Sequence, residues 1–578
     1  MGGTKLCNLL DDLWLSAHGT ADAQGREGPH RSGGFEDVGV RRLLVDADRF
    51  RDIVVDLPTQ KPAIFRQLLL PIVVEALGRP ADATEWIAMF RAGAFSPEQR
   101  SKLDAYLDEH RHLFNLFDSD APFAQVAGLH TARDETRSSA LLVATAATGN
   151  NVPLFSSRSE GNPPELTPGQ AARWLLHTHC WDTAGIKTGV VDDLQVKAGK
   201  TTGNPVGPLG QLGVVMPVGR TVYETLLLNI PFGQPLLSTD VPQWRRRARE
   251  GKIEETLSCA RPAWQVRASQ GLLDIWTWQS RRIRLVPEET EHGVRVKQVV
   301  VSAGDRLDAI PDHEPHTAWV VDSAKTRKKK TGTTAPAPAR PRRHQPGRAA
   351  WRGLDALLTV DRAGEQRDAT VDEAGFHTTA LLSRLSEVRG QIPVAYPLQL
   401  ELTGIAYGTQ SSVIEDVFYD DLPLPVAALD PDSIVCGSLL EAVDQAEKLA
   451  GAVNNLSADL RRAAGTEPIP WDRGQRPGVT LLHALDPLVR RLLVGLRAVG
   501  EDFDQSEEGL TAWERMAGRE TWKVAEQVLS SAAPGVFTGR TITNDGKDRI
   551  YRLSLAELGF RRRMDEVLTR RAAQRRSA

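Results

Sequence analysis

Along residues 395–418 the chain alternates between apolar and polar positions. Leu398, Leu400 and Leu402 fall on one side, Gln399, Glu401 and Thr403 on the other, which is the two-residue period of a half-buried strand. A second apolar run starts at Val413. Between the two lies Gly408-Thr409-Gln410-Ser411-Ser412, small or polar and without formal charge, so the pattern predicts a hairpin tip, with Gly408 supplying the freedom to turn. Period two recurs over residues 273–301, through Trp276, Trp278, Ile283, Leu285, Val294, Val296, Val299 and Val301, and predicts more β structure. Elsewhere the period lengthens. From Pro62 onward, Phe65, Leu68, Leu69, Ile72, Val73 and Leu77 share one helical face, with Pro71 expected to kink it. Ser96-Pro97-Glu98-Gln99 reads as a capped helix start, and Ala171–Cys180 as a further helix. Residues 17–36 and 148–165 read as loops.

Past Pro431-Asp432-Ser433 the pattern becomes wholly helical. One stripe holds Leu439, Val443, Ala446, Ala450, Val453 and Leu460; a second holds Leu481, Leu485, Leu488, Leu492, Leu496 and Val499. Trp513, Met516, Val524 and Val528 mark a third helix, and Leu555, Leu558, Met564, Val567 and Leu568 a fourth. Four amphipathic helices in succession predict a four-helix bundle. The fold class expected is therefore α+β: a large mixed α/β domain over residues 1–429, then the bundle over 430–578.

Composition narrows the class without naming it. At 578 residues, 25% charged and 41% hydrophobic, the chain suits a soluble protein of two or more domains. No apolar run approaches the length of a membrane span, and Asp11 and Asp12 interrupt the first one, so no signal peptide is expected. Cys7, Cys180, Cys259 and Cys436 are scattered and form no close pair, which fits a reducing cytoplasm. The net charge of −3 does not advertise nucleic-acid binding, although a small local patch would suffice. Residues 324–350 form a basic insertion: Lys325, Arg327, Lys328, Lys329, Lys330, Arg340, Arg342, Arg343 and Arg348 lie among Thr, Ala, Pro and Gly. Such a segment is expected to form no packed core and to add nonspecific attraction for nucleic acid.

Several motifs imitate catalytic chemistry and fail on spacing. His177-Thr178-His179-Cys180 with Asp182 offers ligand types, but positions two apart on a helix point to different sides. The proline of His313-Glu314-Pro315-His316 forbids the helical spacing of a metalloprotease motif. Gly199-Lys200-Thr201 mimics the end of a phosphate-binding loop, yet Leu194 stands where its first glycine belongs. No catalytic residue, metal or cofactor is therefore expected. A metal-dependent nuclease, the enzymatic alternative, would need a ligand cluster around a cation; a pure assembly scaffold is the other alternative. Gln410 suits a different task. A neutral amide carries both donor and acceptor, so it can test a base edge without the indiscriminate phosphate attraction of Lys or Arg.

These residues together resemble the CasA-type large subunit of the type I-E CRISPR Cascade complex. Tyr407, Gln410 and Val413-Ile414 occupy the places of that family's glutamine wedge. Asn8-Leu9-Leu10-Asp11 with Trp14 looks like its opening strand, and Pro122-Phe123-Ala124-Gln125 and Gly207-Pro208-Leu209-Gly210 match further elements in the same order. The resemblance implies a non-enzymatic protein that reads the protospacer-adjacent motif in double-stranded DNA, opens the duplex for R-loop formation and helps recruit a helicase-nuclease in antiviral defence. It implies as partners the backbone, small and handle-binding subunits and the guide RNA. By position it makes Thr409, Gln410 and Ser411 the wedge, and Gly185, Lys187 and Gly189 a glycine loop laid against the minor groove. Lys297 becomes a lysine finger, and Phe155 an aromatic reaching the guide-RNA handle. The chain departs from some relatives in lacking close cysteine pairs, and its glycine loop is poor in glycine.

Overall fold

The computed structural model describes residues 7–20, 34–148, 161–233, 235–248, 260–321, 339–358, 375–470, 474–544 and 547–577. Two compact units emerge. One comprises Met1–Arg348, Asp361–Val388 and Gln399–Asp421, the other Ala349–Val360, Arg389–Leu398 and Leu422–Ala578.

The first unit is built around a helix that has no solvent face. It runs as an α-helix over Gln60–Ile64, a π-helical turn over Phe65–Leu69 and an α-helix over Leu70–Leu77. Every residue from Gln60 to Val74 is buried, so the single apolar face expected from the sequence widens to the whole circumference. Pro71 comes just after the π-turn, at the start of the last segment. Proline cannot donate the interior hydrogen bond, and a π-turn is a common way for a helix to take up such an irregularity. The helix buries two cations, each with a partner. Lys61 Nζ lies 2.6 Å from both Asp52 and Glu401, and Arg66 donates to both oxygens of Glu314, at 2.7 and 2.8 Å. The metalloprotease-like motif thus supplies half of a buried ion pair.

Several short sheets surround this helix. Leu15–Gly19 lies between Phe35–Val38 and Phe50–Val54, antiparallel to both. Arg281–Thr290 and Gly293–Ala303 form a long antiparallel hairpin. Val214–Val218 and Ile414–Pro423 flank Gln399–Tyr407. Three sequence expectations are corrected. The opening strand begins at Leu15, past the expected Asn8-Leu9-Leu10-Asp11, because Asn8 folds the chain on itself: its Oδ1 accepts from Leu10 N and its N donates to Asp12. Such local bonds compete with a sheet ladder. Leu272–Trp276 is a short helix rather than strand, since Asp240 accepts from the backbone N–H groups of Leu273 and Asp274 and so satisfies its first turn. The third correction concerns the basic insertion, whose far end packs. Arg340–Pro341 pairs with Trp319–Val321, and the His344 ring stacks on Phe418 with 4.8 Å between centroids.

The second unit is helical. The four predicted stripes fall on Ile434–Ala463, Pro477–Gly495, Phe503–Ser530 and Leu553–Val567, but in the last the buried face is Ala556, Phe560 and Met564 while Leu555 and Leu558 are exposed. The first of these packs against the other three. Ser433 and Asp502 cap their helices by accepting from Cys436 N and Gln505 N, and Pro477 opens the second, where its missing N–H costs nothing. The interior also holds a polar centre that no stripe foretold. Fully buried Glu514 accepts from Gln445 and Arg570 at 3.0 and 2.9 Å, while Trp513 donates to Gln445 at 2.8 Å. An unpredicted hairpin, Arg540–Asn544 with Lys547–Tyr551, stands between the last two stripes; its sequence signal is Asp545-Gly546.

Trp351, from the upstream segment of this unit, is fully buried and donates to Asp486 at 2.9 Å. Trp351→Ala is expected to destabilise the unit by about 3–5 kcal/mol, measured by chemical denaturation of the full chain. A fragment spanning 422–578, which lacks this tryptophan, is expected to give a helical circular dichroism spectrum and to melt below the intact unit.

Candidate nucleic-acid interface

The hairpin predicted around Gln410 is present, and its strain sits in an unexpected place. Gly408 N donates to Val413 O at 2.9 Å, and Ser411 N and Ser412 N donate back to Gly408 O and Thr409 O at 2.8 and 3.2 Å. Gly408 itself is extended, with φ −75°. The left-handed residues are Gln410 and Ser411, with φ of 54° and 55°, at a cost on the order of 1 kcal/mol or more for each non-glycine residue. A Cβ at Gly408 would come within 2.4 Å of Glu415 Oε1, so the exposed Glu415 carboxylate would have to swing aside. Thr409 and Gln410 are exposed, and among the described residues the Gln410 amide has no hydrogen-bond partner.

Tyr407 holds the stem in register. Its hydroxyl donates to Trp181 O at 2.6 Å, and its ring lies where Gly210 leaves room, a Cβ there falling 2.5 Å from Tyr407 Oη. Trp181 ends the helix Pro168–Trp181, opened by a capping box of Thr167 and Gln170. The chain then turns through Asp182 into the strand Gly185–Thr188, which pairs with Lys200–Asn204. Here tip and strand meet. Ala184 N donates to Ser411 O at 2.9 Å, and a Cβ on Gly185 would lie 3.9 Å from Ser412 Cβ.

The other residues implied by the resemblance are placed differently. Lys187 turns inward, its Nζ 2.6 Å from Asp182 with a side chain only 13% exposed; burial lowers its pKa against the pull of Asp182. Gly189 admits a close approach of the chain's own backbone, since a Cβ there would fall 2.5 Å from Val196 and 2.8 Å from the Gly199 carbonyl carbon. Lys297 sits at a bulge between Val296 and Gln298 and pairs with Glu165 at 3.0 Å; the hydrogen bond it donates to Glu165 raises its pKa. Ser302 on the same strand donates to Thr188 O, so Lys297 lies roughly 16 Å further along at the usual rise of a strand. Phe155 lies outside the described residues.

Asp182 is the residue that sequence reasoning passed over. It appeared only as a possible metal ligand. In the fold its carboxylate receives both Lys187 and Arg281, and Arg281 also donates to Thr183 O and Pro205 O, both at 2.9 Å. Burial would raise the Asp182 pKa, but the two cations overcome it and bring it down to about 2. The sequence signal was the pair Arg281-Arg282 at the start of an apolar strand, because a charge so placed is almost never buried unless paired. His177 and His179 are core groups: Thr59 Oγ1 lies 2.9 Å from His177 Nε2, and Ala124 O 2.9 Å from His179 Nε2. Burial lowers their pKa values to about 3 and about 4. No group of three or more His, Cys, Asp or Glu among the described residues is placed to hold a metal ion, and no described helix is long and apolar enough to cross a membrane.

Residues 8–524 match the family model for CRISPR-associated protein Cse1. The chain belongs to the Cse1 family. A curated relative, the CRISPR-associated protein CasA/Cse1 of Thermus thermophilus, is 26% identical over 547 residues, covering 92% of this chain and 95% of its own. The crystal structure of Thermobifida fusca Cse1 superposes with a TM-score of 0.76 at 29% identity, covering 98% of both chains. A chain of a CRISPR RNA-guided surveillance complex, 20% identical, shares the fold with a TM-score of 0.64 over 91% of this chain and 99% of its own.

Asp182 gives this Cse1 chain a defined acid limb. Its carboxyl binds protons less readily folded than unfolded, where the pKa is near 3.8. The stabilisation is therefore present above about pH 4 and is lost as pH falls toward 2. Asp182→Asn is expected to cost about 3 kcal/mol near neutrality by leaving Lys187 and Arg281 without their partner. It should also flatten the fall of Tm between pH 4 and pH 2, as read by thermal melts across that range.

Proposed function

We propose that the chain is the large subunit of a type I-E Cascade surveillance complex, where it recognises the protospacer-adjacent motif in double-stranded DNA. It promotes duplex opening and R-loop formation and helps recruit the helicase-nuclease in antiviral defence. The observation that carries this reading is the tip itself: an exposed amide on a strained left-handed backbone, tied through Ser411 to the strand that carries Gly185. Backbone strain that the surroundings enforce is a mark of functional sites. Family membership supports the same reading, as does the shared fold with a chain of an RNA-guided complex.

In this reading Thr409, Gln410 and Ser411 enter beside the first base pairs and offset the cost of unstacking them. The strand Gly185–Thr188 lies against the minor groove, and Lys297 reaches the same duplex once it leaves Glu165. Phe155 serves the guide-RNA handle, and guide pairing reads the remaining sequence. Residues 1–429 do the recognising, and residues 430–578, as a four-helix bundle, complete the surface presented to the other subunits and the helicase-nuclease. The work is that of binding rather than catalysis, in the cytoplasm, with no cofactor.

Gln410→Ala tests it. In the assembled complex, the variant is expected to bind a duplex target about tenfold or more weakly, by loss of amide contacts and wedge together. Binding to a target already opened beside the motif should be largely spared, with assembly and Tm unchanged. Equal loss on both targets would count against a wedge, and no loss on either would return Gln410 to an ordinary turn.

A further inference from the structure

The strand beside the tip carries a side chain that neither packing nor the wedge accounts for. Ile186 is 62% exposed, between half-buried Gly185 and Lys187. Its neighbours fix its direction. Lys187 is drawn inward to Asp182, and successive strand side chains alternate between faces, so Ile186 faces out. The partner strand does not cover it. Gly185 pairs with Asn204 and Lys187 with Thr201, so Thr202 and Gly203 together stand opposite Ile186. That is a β-bulge, and Gly203 takes the left-handed conformation within it, with φ 70°. Bulges re-aim the side chain they oppose and occur beside functional sites. Of the two residues across from Ile186, Gly203 has no side chain and Thr202 is itself exposed.

The backbone around Ile186 is held from three sides. Arg281 donates to Thr183 O, Asn204 Nδ2 donates to Gly185 O at 2.8 Å, and Ala184 N donates to Ser411 O at 2.9 Å. The last bond seats the Gln410 tip on the same segment. Only Gly185 stands between Ala184 and Ile186 in the chain. An aliphatic side chain is thus presented on a fixed backbone, two residues on from the amide that seats the tip carrying exposed Gln410.

We propose that Ile186 is a second, apolar wedge, which enters between base pairs next to those met by Gln410 and sets how readily the duplex opens. The chemistry of the two tips is complementary. The amide of Gln410 can satisfy base edges as they part, while a branched aliphatic group contacts base faces and sugars and takes up the space of lost stacking, as apolar wedges do in minor-groove proteins. Its surface is uncovered in the free protein and is removed from water only when DNA is present, so its burial adds to binding and not to folding. Ile186 reads no letter of the motif, because an aliphatic group has no donor or acceptor. This inference rests on the duplex-reading function proposed above.

The test uses the complex reconstituted with guide RNA, a duplex target carrying 2-aminopurine at the first pair beside the motif, and the same target pre-opened at that end. Ile186→Ala and Ile186→Ser are expected to weaken duplex binding about tenfold, the loss of most of one aliphatic burial, and to slow the rise of 2-aminopurine fluorescence to a similar degree. Ile186→Leu should restore both. Binding to the pre-opened target, the ranking among motif sequences and Tm should stay as in the parent. Gln410→Ala, measured in parallel, separates the two failures. Loss with Gln410→Ala but none with Ile186→Ala or Ile186→Ser overturns the apolar wedge and leaves the motif reader standing. No loss with any of these variants overturns both. Equal loss on the two targets, or a lowered Tm, would make Ile186 a packing residue and overturn the inference as well.

Discussion

Two cations and one carboxylate hold the surface around the Gln410 tip together. Asp182 follows the helix that Tyr407 grips through Trp181, and it precedes the strand that Ser411 grips through Ala184. Its partners come from that strand and from the long hairpin beginning at Arg281. Three otherwise separate elements therefore converge on a single half-buried charge, and none can shift without breaking a pair. In a half-buried setting such pairs contribute little net stability compared with an apolar substitute, but breaking one leaves a charge without compensation. The value of the arrangement is positional. It keeps the Ala184–Gly185 backbone where the hairpin tip can rest on it.

The same logic recurs away from that surface. Arg66 and Glu314 are buried and join a core helix to a distant turn, and Glu514 gathers Gln445 and Arg570 within the helical unit. Each is a polar contact inside an apolar surrounding, where a displaced neighbour would leave a buried group unsatisfied, a penalty of about 1–3 kcal/mol for each neutral group. Apolar packing alone tolerates sliding; these contacts do not. In the helical unit the stripes supply the burial, and the polar centre selects among the ways the helices could be stacked.

What could be read from the sequence was local in its physics. The alternation of Leu398, Leu400 and Leu402 and the uncharged tip located the hairpin, and the four stripes located the long helices, although the third was read from Trp513 and begins at Phe503. The cap at Ser96 was equally plain, because a capping box is complete within four consecutive residues. Errors arose where a distant partner decided the outcome. The helix at Leu272 depends on a carboxylate 33 residues away, and the fate of Asp182 on an arginine 99 residues on. Lys187 was placed in the glycine loop by position alone, and nothing local showed that Asp182 is its partner. The far end of the basic insertion read as unpackable because composition cannot show that His344 has a ring to lie on. Gly408 was credited with a turn that Gln410 and Ser411 make, since a glycine in a tip suggests flexibility before it suggests a missing Cβ.

The pairing of Trp319–Val321 with Arg340–Pro341 has an evolutionary consequence. Residues 322–338 are flanked by adjacent antiparallel strands, with Val320 opposite Arg340. An excursion whose ends are already side by side can lengthen at an entropic cost that grows only with the logarithm of its length. Its composition is then free to drift, because the strands on either side, not the excursion, satisfy the backbone at its base. Lineages could lengthen, recharge or delete what lies between, or insert a whole foreign domain there, without disturbing Gln410 or the carboxylate beneath it. The segment is a natural attachment point, open to innovation because the fold closes behind it.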